Sequence, residues 1–193
     1  MKIVLATKNE GKLEEFRSMF KDLNIEILSE KEFNVGEIVE DGLTFEENSL
    51  IKAKAVSEIS GLPAISDDSG LCIDALDGKP GVHTARWFNE FENYNDRCKK
   101  MIELIDKKNT NRDAKFISVI TLYFPNGEKY IFRGETEGSI SHELKGNLGH
   151  GYDPIFYSKD LKMNFAEAGT ELKNTVSHRG RAFKKLREFL ENM

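Results

Sequence analysis

Cysteine is nearly missing from this chain: Cys72 and Cys98 are the only two in 193 residues. They lie too far apart for zinc-ligand spacing and are too few for a disulfide framework, so both read as buried thiols of a reducing compartment. Long apolar runs are missing too. The opening Met1-Lys2-Ile3-Val4-Leu5-Ala6 is too short an apolar stretch for a signal peptide, and no later stretch can span a bilayer, which sets the expectation of a soluble, cytoplasmic chain with no membrane association. There is no basic excess. A formal net charge of −5 with 32% charged residues lacks the electrostatic footprint of a protein that binds nucleic-acid polymer, although a local group of lysines can still hold a small anion. No internal repeat, low-complexity tract or linker interrupts the sequence, so it reads as one domain over residues 1–193, long enough to bury a sizeable core.

The richest stretch is Ala64-Ile65-Ser66-Asp67-Asp68-Ser69-Gly70-Leu71-Cys72-Ile73-Asp74. Two short apolar runs suited to strands flank the polar centre, which reads as a corner where the backbone leaves a sheet. Adjacent carboxylates repel and raise each other's pKa, whereas a divalent cation or well-placed donors stabilise both as anions. Two readings stay open here: an Asx-type turn in a surface loop, or a metal-assisted hydrolytic centre.

Ile3-Val4-Leu5-Ala6 reads as a buried strand. The polar turn Thr7-Lys8-Asn9-Glu10-Gly11-Lys12 leads from it into a helix with Leu13, Phe16, Phe20 and Leu23 on one face. Unpaired backbone N–H groups, a positive helix end and the charges of Lys8 and Lys12 meet at that turn, which suits phosphate. The turn lacks the glycine-glycine-lysine pattern of a P-loop, and an ordinary strand-to-helix connection with solvated lysines accounts for it equally well. Ile25-Glu26-Ile27-Leu28 is a second strand. A loop with Glu37, Glu40 and Asp41 follows, then Thr44-Phe45-Glu46-Glu47, a capping box in which Thr44 caps and Glu47 reaches back. The helix it opens is expected to reach about Ser60, with Leu50, Ile51, Ala55, Val56 and Ile59 inward. Glu40, outside that helix, is either a metal ligand or a solvated surface carboxylate.

Beyond the central stretch, a glycine-proline loop over residues 77–87 ends in Arg86 and Trp87 and either lines a pocket or covers a subunit interface. A helix over residues 95–107 turns Cys98, Met101, Ile102 and Ile105 inward. Strands over residues 114–124 and 128–134, joined by Pro125-Asn126-Gly127, form a hairpin that extends the sheet in the antiparallel sense. The glycines of residues 146–151 let backbone approach a flat ligand, with His150 or Tyr152 able to stack on a base. Ser177 is a natural N-cap for a last helix that buries Ala182, Phe183, Leu186, Phe189 and Leu190. His178 and Arg179 then occupy its first turn, where positive charge opposes the helix dipole; a bound anion or electron-rich ring compensates for that.

Six blocks recur in order: Ala6-Thr7-Lys8-Asn9-Glu10-Gly11-Lys12, Gly42-Leu43-Thr44-Phe45-Glu46-Glu47-Asn48 with Lys52-Ala53, Ser66-Asp67-Asp68-Ser69-Gly70-Leu71, Pro80-Gly81-Val82-His83-Thr84-Ala85-Arg86, Gly151-Tyr152-Asp153-Pro154-Ile155-Phe156, and Ser177-His178-Arg179-Gly180. In them the sequence resembles, nearly end to end, the inosine triphosphate pyrophosphatase family, which hydrolyses noncanonical purine nucleoside triphosphates. The resemblance implies an α/β fold with a mixed, elongated and twisted central sheet, flanking helices, and two lobes with an active-site cleft between them. It also implies a homodimer and a Mg²⁺-dependent cut between the α- and β-phosphates of ITP, dITP or XTP. Residue by residue, it makes Asp68 the catalytic acid-base residue and a metal ligand, Glu40 the second metal carboxylate, and Thr7, Lys8, Asn9, Glu10, Gly11 and Lys12 the triphosphate loop. Ser69, His150, Gly151, Tyr152, Asp153, Lys173, His178 and Arg179 follow as substrate contacts. The chain departs from the family's habit at His150, where a phenylalanine is common and an imidazole stacks more weakly. Two other readings remain: a Maf-like pyrophosphatase of different base preference, and a non-catalytic nucleotide-sensing module, which has no need of two metal carboxylates.

Overall fold

The structure, a computed structural model, describes residues 1–193. The first apolar run becomes β1 (Lys2–Leu5), with Ile3, Val4 and Leu5 buried. The side chain of Asn9 then accepts a hydrogen bond from the Lys12 amide at 3.1 Å and starts α1 (Glu10–Phe20), which buries Leu13, Phe16 and Phe20 on one face. Leu23 lies beyond the helix end. β2 (Glu26–Ser29) and β3 (Ala64–Ile73) run parallel to β1 on its two sides. Between them come a 3-10 turn (Glu30–Phe33) capped by Ser29 and the helix α2 (Phe45–Ser60). α3 (Tyr94–Lys108) buries the four residues expected of it. β4 (Asp113–Tyr123) and β5 (Lys129–Ile140) follow, their turn closed by the Gly127 amide donating to the Phe124 carbonyl at 2.9 Å. β6 (Phe156–Ser158) and β7 (Met163–Asn164) add antiparallel strands, and α4 (Thr170–Asn174) and α5 (His178–Glu191) end the chain. The strands form one mixed sheet in the order β2-β1-β3-β4-β5-β6-β7, the mixed α/β arrangement expected. No helix is long and apolar enough to cross a membrane.

The chain divides into two compact units. The first comprises Met1–Asp68, Val119–Phe132 and Lys185–Met193; the second comprises Ser69–Ser118 and Arg133–Lys184. In the first, Val4, Ala6, Val56 and Ala64 form a core. In the second, a larger core gathers Leu71, Ile73, Met101, Ile105, Phe156 and Phe165 among others.

Three expectations are corrected. The central stretch is no corner: β3 runs unbroken through Asp67, Asp68, Ser69 and Gly70. Aspartate and glycine disfavour a strand interior, but Lys12 pairs with Asp67 and Lys52 with Asp68, so the carboxylates have no need to turn out to water. β5 likewise continues past Gly134 to Ile140. A Cβ at Gly134 would run into the backbone of His178 and Ala182, so that glycine marks the close approach of α5 rather than a break. Finally, α2 buries Phe45, Asn48, Ser49, Ala53, Val56 and Ser57, whereas Leu50 and Ile51 are half-buried and Ile59 is exposed. The polar groups on that inward face are satisfied. The Ser49 hydroxyl donates to Thr121 Oγ1 at 2.8 Å and lies 2.8 Å from Ser66 Oγ, so hydroxyls fasten α2 to β3 and β4. At the helix start Thr44 Oγ1 accepts from the Glu47 amide at 3.1 Å as expected. The Glu47 carboxylate, however, reaches the Leu43 amide, one residue before the cap, at 2.6 Å.

Candidate active site

In the first unit, the turn after β1 is shaped by its own side chains. Thr7 Oγ1 accepts from the Asn9 amide at 3.1 Å, and Asn9 in turn caps α1. Glu10, expected in the triphosphate loop, is exposed and ion-paired with Lys31, which holds its carboxyl below the usual range. Lys12 Nζ lies 3.0 Å from Asp67 Oδ2. Lys8 is exposed at the same turn.

Lys52, projecting from α2, is the hub of the carboxylates. Its Nζ lies 3.1 Å from Glu40 Oε1 and 3.4 Å from Asp68 Oδ1, and donates to the Asp67 carbonyl at 2.8 Å. Burial opposes its charge, but Asp68, Glu40 and Asp67 together outweigh burial and raise its pKa. Glu40 reaches this point from a loop anchored on α2. Asn48 Oδ1 accepts from the Gly42 amide at 2.8 Å, and a Cβ at Gly42 would come within 2.7 Å of that oxygen. Asp68 is pushed up to about 6, first by burial, against the pull of Lys52 and with Asp67 and Glu40 adding to the rise. Its Oδ2 is buried with no hydrogen-bond partner.

That orphaned oxygen tests the metal reading. A buried acceptor beside a second carboxylate fits a hard cation, and Mg²⁺ in particular takes one or two protein carboxylates and completes its shell with water and substrate phosphates. No group of three or more such side chains is gathered as an all-protein cage, so Glu40 and Asp68 are the ligands on offer.

Sequence reasoning alone assigns Lys52 and Asp67 no role. A signal for Lys52 is nonetheless present: it falls four residues after Asn48 and seven after Phe45, on the inward face of α2, where an unexplained charge breaks the amphipathic rule.

In the second unit, Arg179 is buried in the first turn of α5 and donates from Nη2 to Ser69 Oγ at 3.2 Å. His178 stacks on Phe116 with centroids 4.7 Å apart and rings 16° from parallel. The Gly180 amide donates to Ser177 Oγ at 3.0 Å, the cap expected for this helix. Asp153 and Lys173 are both buried and joined at 2.6 Å, and Asp153 Oδ2 also accepts from the His150 amide at 3.1 Å. Gly149 and Gly151 have positive φ of 74° and 61°, which lets the segment wrap this carboxylate. Tyr152 is a core residue, edge-on to Tyr94 at 5.7 Å, so its ring is occupied. His150 is exposed, and what the segment presents outward is its imidazole and backbone.

A model of the Ham1 family matches residues 3–189. The dITP/XTP pyrophosphatase of Symbiobacterium thermophilum is 43% identical over 190 residues, covering 98% of this chain and 94% of that protein. That of Geobacter sulfurreducens is 44% identical over 193 residues, covering 98% and 96%. Among solved structures, a HAM1 protein from Coxiella burnetii matches with a TM-score of 0.94 at 39% identity over 100% of both chains. The Ham1 protein of Staphylococcus aureus matches at 0.90 and 35% identity, over 100% of this chain and 99% of that one.

Proposed function

The chain belongs to the Ham1 family, and from that premise we propose that it hydrolyses noncanonical purine nucleoside triphosphates, ITP, dITP and XTP, to the monophosphate and pyrophosphate. The observation that carries this reading is the Glu40–Lys52–Asp68 arrangement with one buried carboxylate oxygen left to accept. A sensor without chemistry has no use for it, and the relatives named for dITP and XTP do not favour a pyrophosphatase of other base preference.

In this reading Asp68 takes the proton of the attacking water. Its environment keeps the carboxyl near 6, so it is an available base at neutral pH. Lys52 holds Asp68 and Glu40 at fixed positions. Lys8, Lys12 and the start of α1 take the phosphates, with Asp67 orienting Lys12. Mg²⁺, when bound by Glu40 and Asp68, supplies charge neutralisation on the phosphate oxygens and a more acidic water. Replacing Glu40 by Gln is expected to raise the Mg²⁺ concentration for half-maximal rate by roughly tenfold. A magnesium titration identical to wild type would make Glu40 a surface residue only. A homodimer is the proposed assembly.

Ser69, His150, Gly151, His178 and Arg179 are the proposed base and sugar contacts, with Asp153 and Lys173 as the frame beneath them. A donor such as Arg179 aimed at O6 accepts hypoxanthine and xanthine. Adenine presents an amino donor at that place and would leave a buried donor unmatched, at about 1–3 kcal/mol. Pyrophosphate release from ITP, ATP, GTP and UTP is the test. The expected kcat/KM for ITP exceeds that for ATP by roughly 10- to 100-fold. Equal rates would overturn the base assignment, and an inert ITP the reaction itself.

A further inference from the structure

Two contacts tie α2 to β3 in the first unit, and they fall in step along both elements. Ser49 of α2 meets Ser66 of β3, with the two Oγ atoms 2.8 Å apart. Three residues on along the helix, Lys52 Nζ lies 3.4 Å from Oδ1 of Asp68, which is two residues on along the strand. Three helical residues advance about 4.5 Å and two strand residues about 6.6 Å, and each pair stays on one face of its element. The hydroxyl contact and the charge contact are therefore successive rungs between the same helix and strand. The hydroxyl rung is also the hub of a network: the Ser66 hydroxyl donates to the Ser49 carbonyl, and the Ser49 hydroxyl donates to Thr121 Oγ1 of β4 at 2.8 Å. All three side chains are fully buried.

Apolar side chains would fill these three places, but they would not fix the helix in the same way. Apolar contact is non-directional and lets a helix turn or slide on a sheet, whereas a hydrogen bond sets both distance and angle. That difference matters because the candidate site is divided between the two elements. Glu40 travels with α2, since its loop is tied through Gly42 to Asn48, the residue before Ser49. Asp68 belongs to β3. The seating of α2 on β3 thus sets how closely the Lys52 ammonium approaches Asp68 and how far apart the two carboxylates lie.

We propose that Ser49 is a positioning residue for the reaction: held by Ser66 and Thr121, its hydroxyl seats α2 on β3 and so holds the Lys52 ammonium against Asp68. This deepens the reaction reading above and rests on it. Ser49 touches no reacting atom, and its effect passes through Lys52. Lys52 is a flexible four-carbon stem, so the place from which it starts decides where its ammonium ends. A carboxylate that must meet a water in line with a phosphorus tolerates little displacement, and a shift of about 1 Å costs up to about 10²-fold in rate. The phosphate-binding turn after β1 is built from its own side chains and does not depend on this clamp.

Ser49→Ala, assayed with ITP well below its melting midpoint, reads this directly. Its kcat is expected to fall roughly tenfold with KM within about twofold of wild type. Thr121→Val removes the acceptor of the same hydroxyl while keeping the branched shape; it is expected to show the same split, and it carries the test if Ser49→Ala does not fold. In a Lys52→Met background, single-turnover rates are expected to drop by less than about twofold more when Ser49 becomes alanine, because the group it positions is gone. In a crystal structure of the folded variant, the Lys52–Asp68 contact is expected to open beyond about 4 Å, the limit of an ion pair. An unchanged kcat, a loss confined to KM, or an equal loss of rate without Lys52 would each overturn the proposal. If wild type leaves ITP intact, the reaction reading fails, and the crystal structure still decides whether the hydroxyl sets the Lys52–Asp68 contact: an unmoved ammonium overturns that as well.

Discussion

Asp68→Asn is expected to lower kcat for ITP by about 10³-fold while leaving nucleotide affinity within a few-fold of wild type. The change keeps the shape and an oxygen acceptor for Lys52 but removes the anion. It therefore spares the packing of β3 and strikes the step in which a carboxylate must take a proton. The expected pH profile follows from the same environment. Burial raises the Asp68 carboxyl to about 6, and only its ionised form is a base. Wild-type kcat/KM should therefore rise with pH through that region and level off above it, and the residual rate of the asparagine variant should lack that rise. Single-turnover measurements with ITP, together with calorimetric binding of the nucleotide to the variant, check both parts. Full activity would remove Asp68 from the chemistry, and a lost rate accompanied by lost binding would make it a binding residue instead.

The local elements of this fold are legible in the amino-acid sequence. The helical spacing of Leu13, Phe16 and Phe20, the inward stripe of α3 and the Pro-Asn-Gly turn are short-range signals, and each forms as local physics predicts. Long-range pairing is not legible. Asp67-Asp68-Ser69-Gly70 reads as a turn because the chain alone does not show that Lys12 and Lys52, 55 and 16 residues from Asp67 and Asp68, will be there to match the charges. Gly134 reads as a strand end because nothing near it in sequence shows that α5 will pack against its backbone. The boundaries of the two units are hidden for a related reason: the first is assembled from three separate segments, and the chain passes from one unit to the other inside β3, β4, β5 and α5 rather than through a linker. At the candidate site, residue types and their blocks are readable. The division between chemistry and scaffold proposed above is not, and Asp153 with Lys173 is the clearest case.

The family resemblance implies that Asp153 and Lys173 are two substrate contacts. In the fold their side chains are 3% and 11% exposed and lie 2.6 Å apart, so each already has its counter-charge. Replacing Lys173 by Met keeps most of the length of the side chain but removes the ammonium that lies over the Phe165 ring and leaves Asp153 buried with the His150 amide as a remaining donor. Breaking a buried pair from one side costs about 3–5 kcal/mol. For a chain of this size that corresponds to a melting midpoint lower by roughly 6–20 °C. Adding Asp153→Asn should recover a large part of the loss, because the uncompensated charge is then gone, and the non-additivity identifies the two residues as a unit. KM for ITP should rise in Lys173→Met as well, since the carboxylate that fastens the His150 turn loses its own anchor. The melting midpoint of the ligand-free protein separates frame from contact. A lysine that serves only the substrate leaves that midpoint where it was and moves KM alone, whereas a lysine that holds the loop moves both, and Asp153→Asn then restores the midpoint.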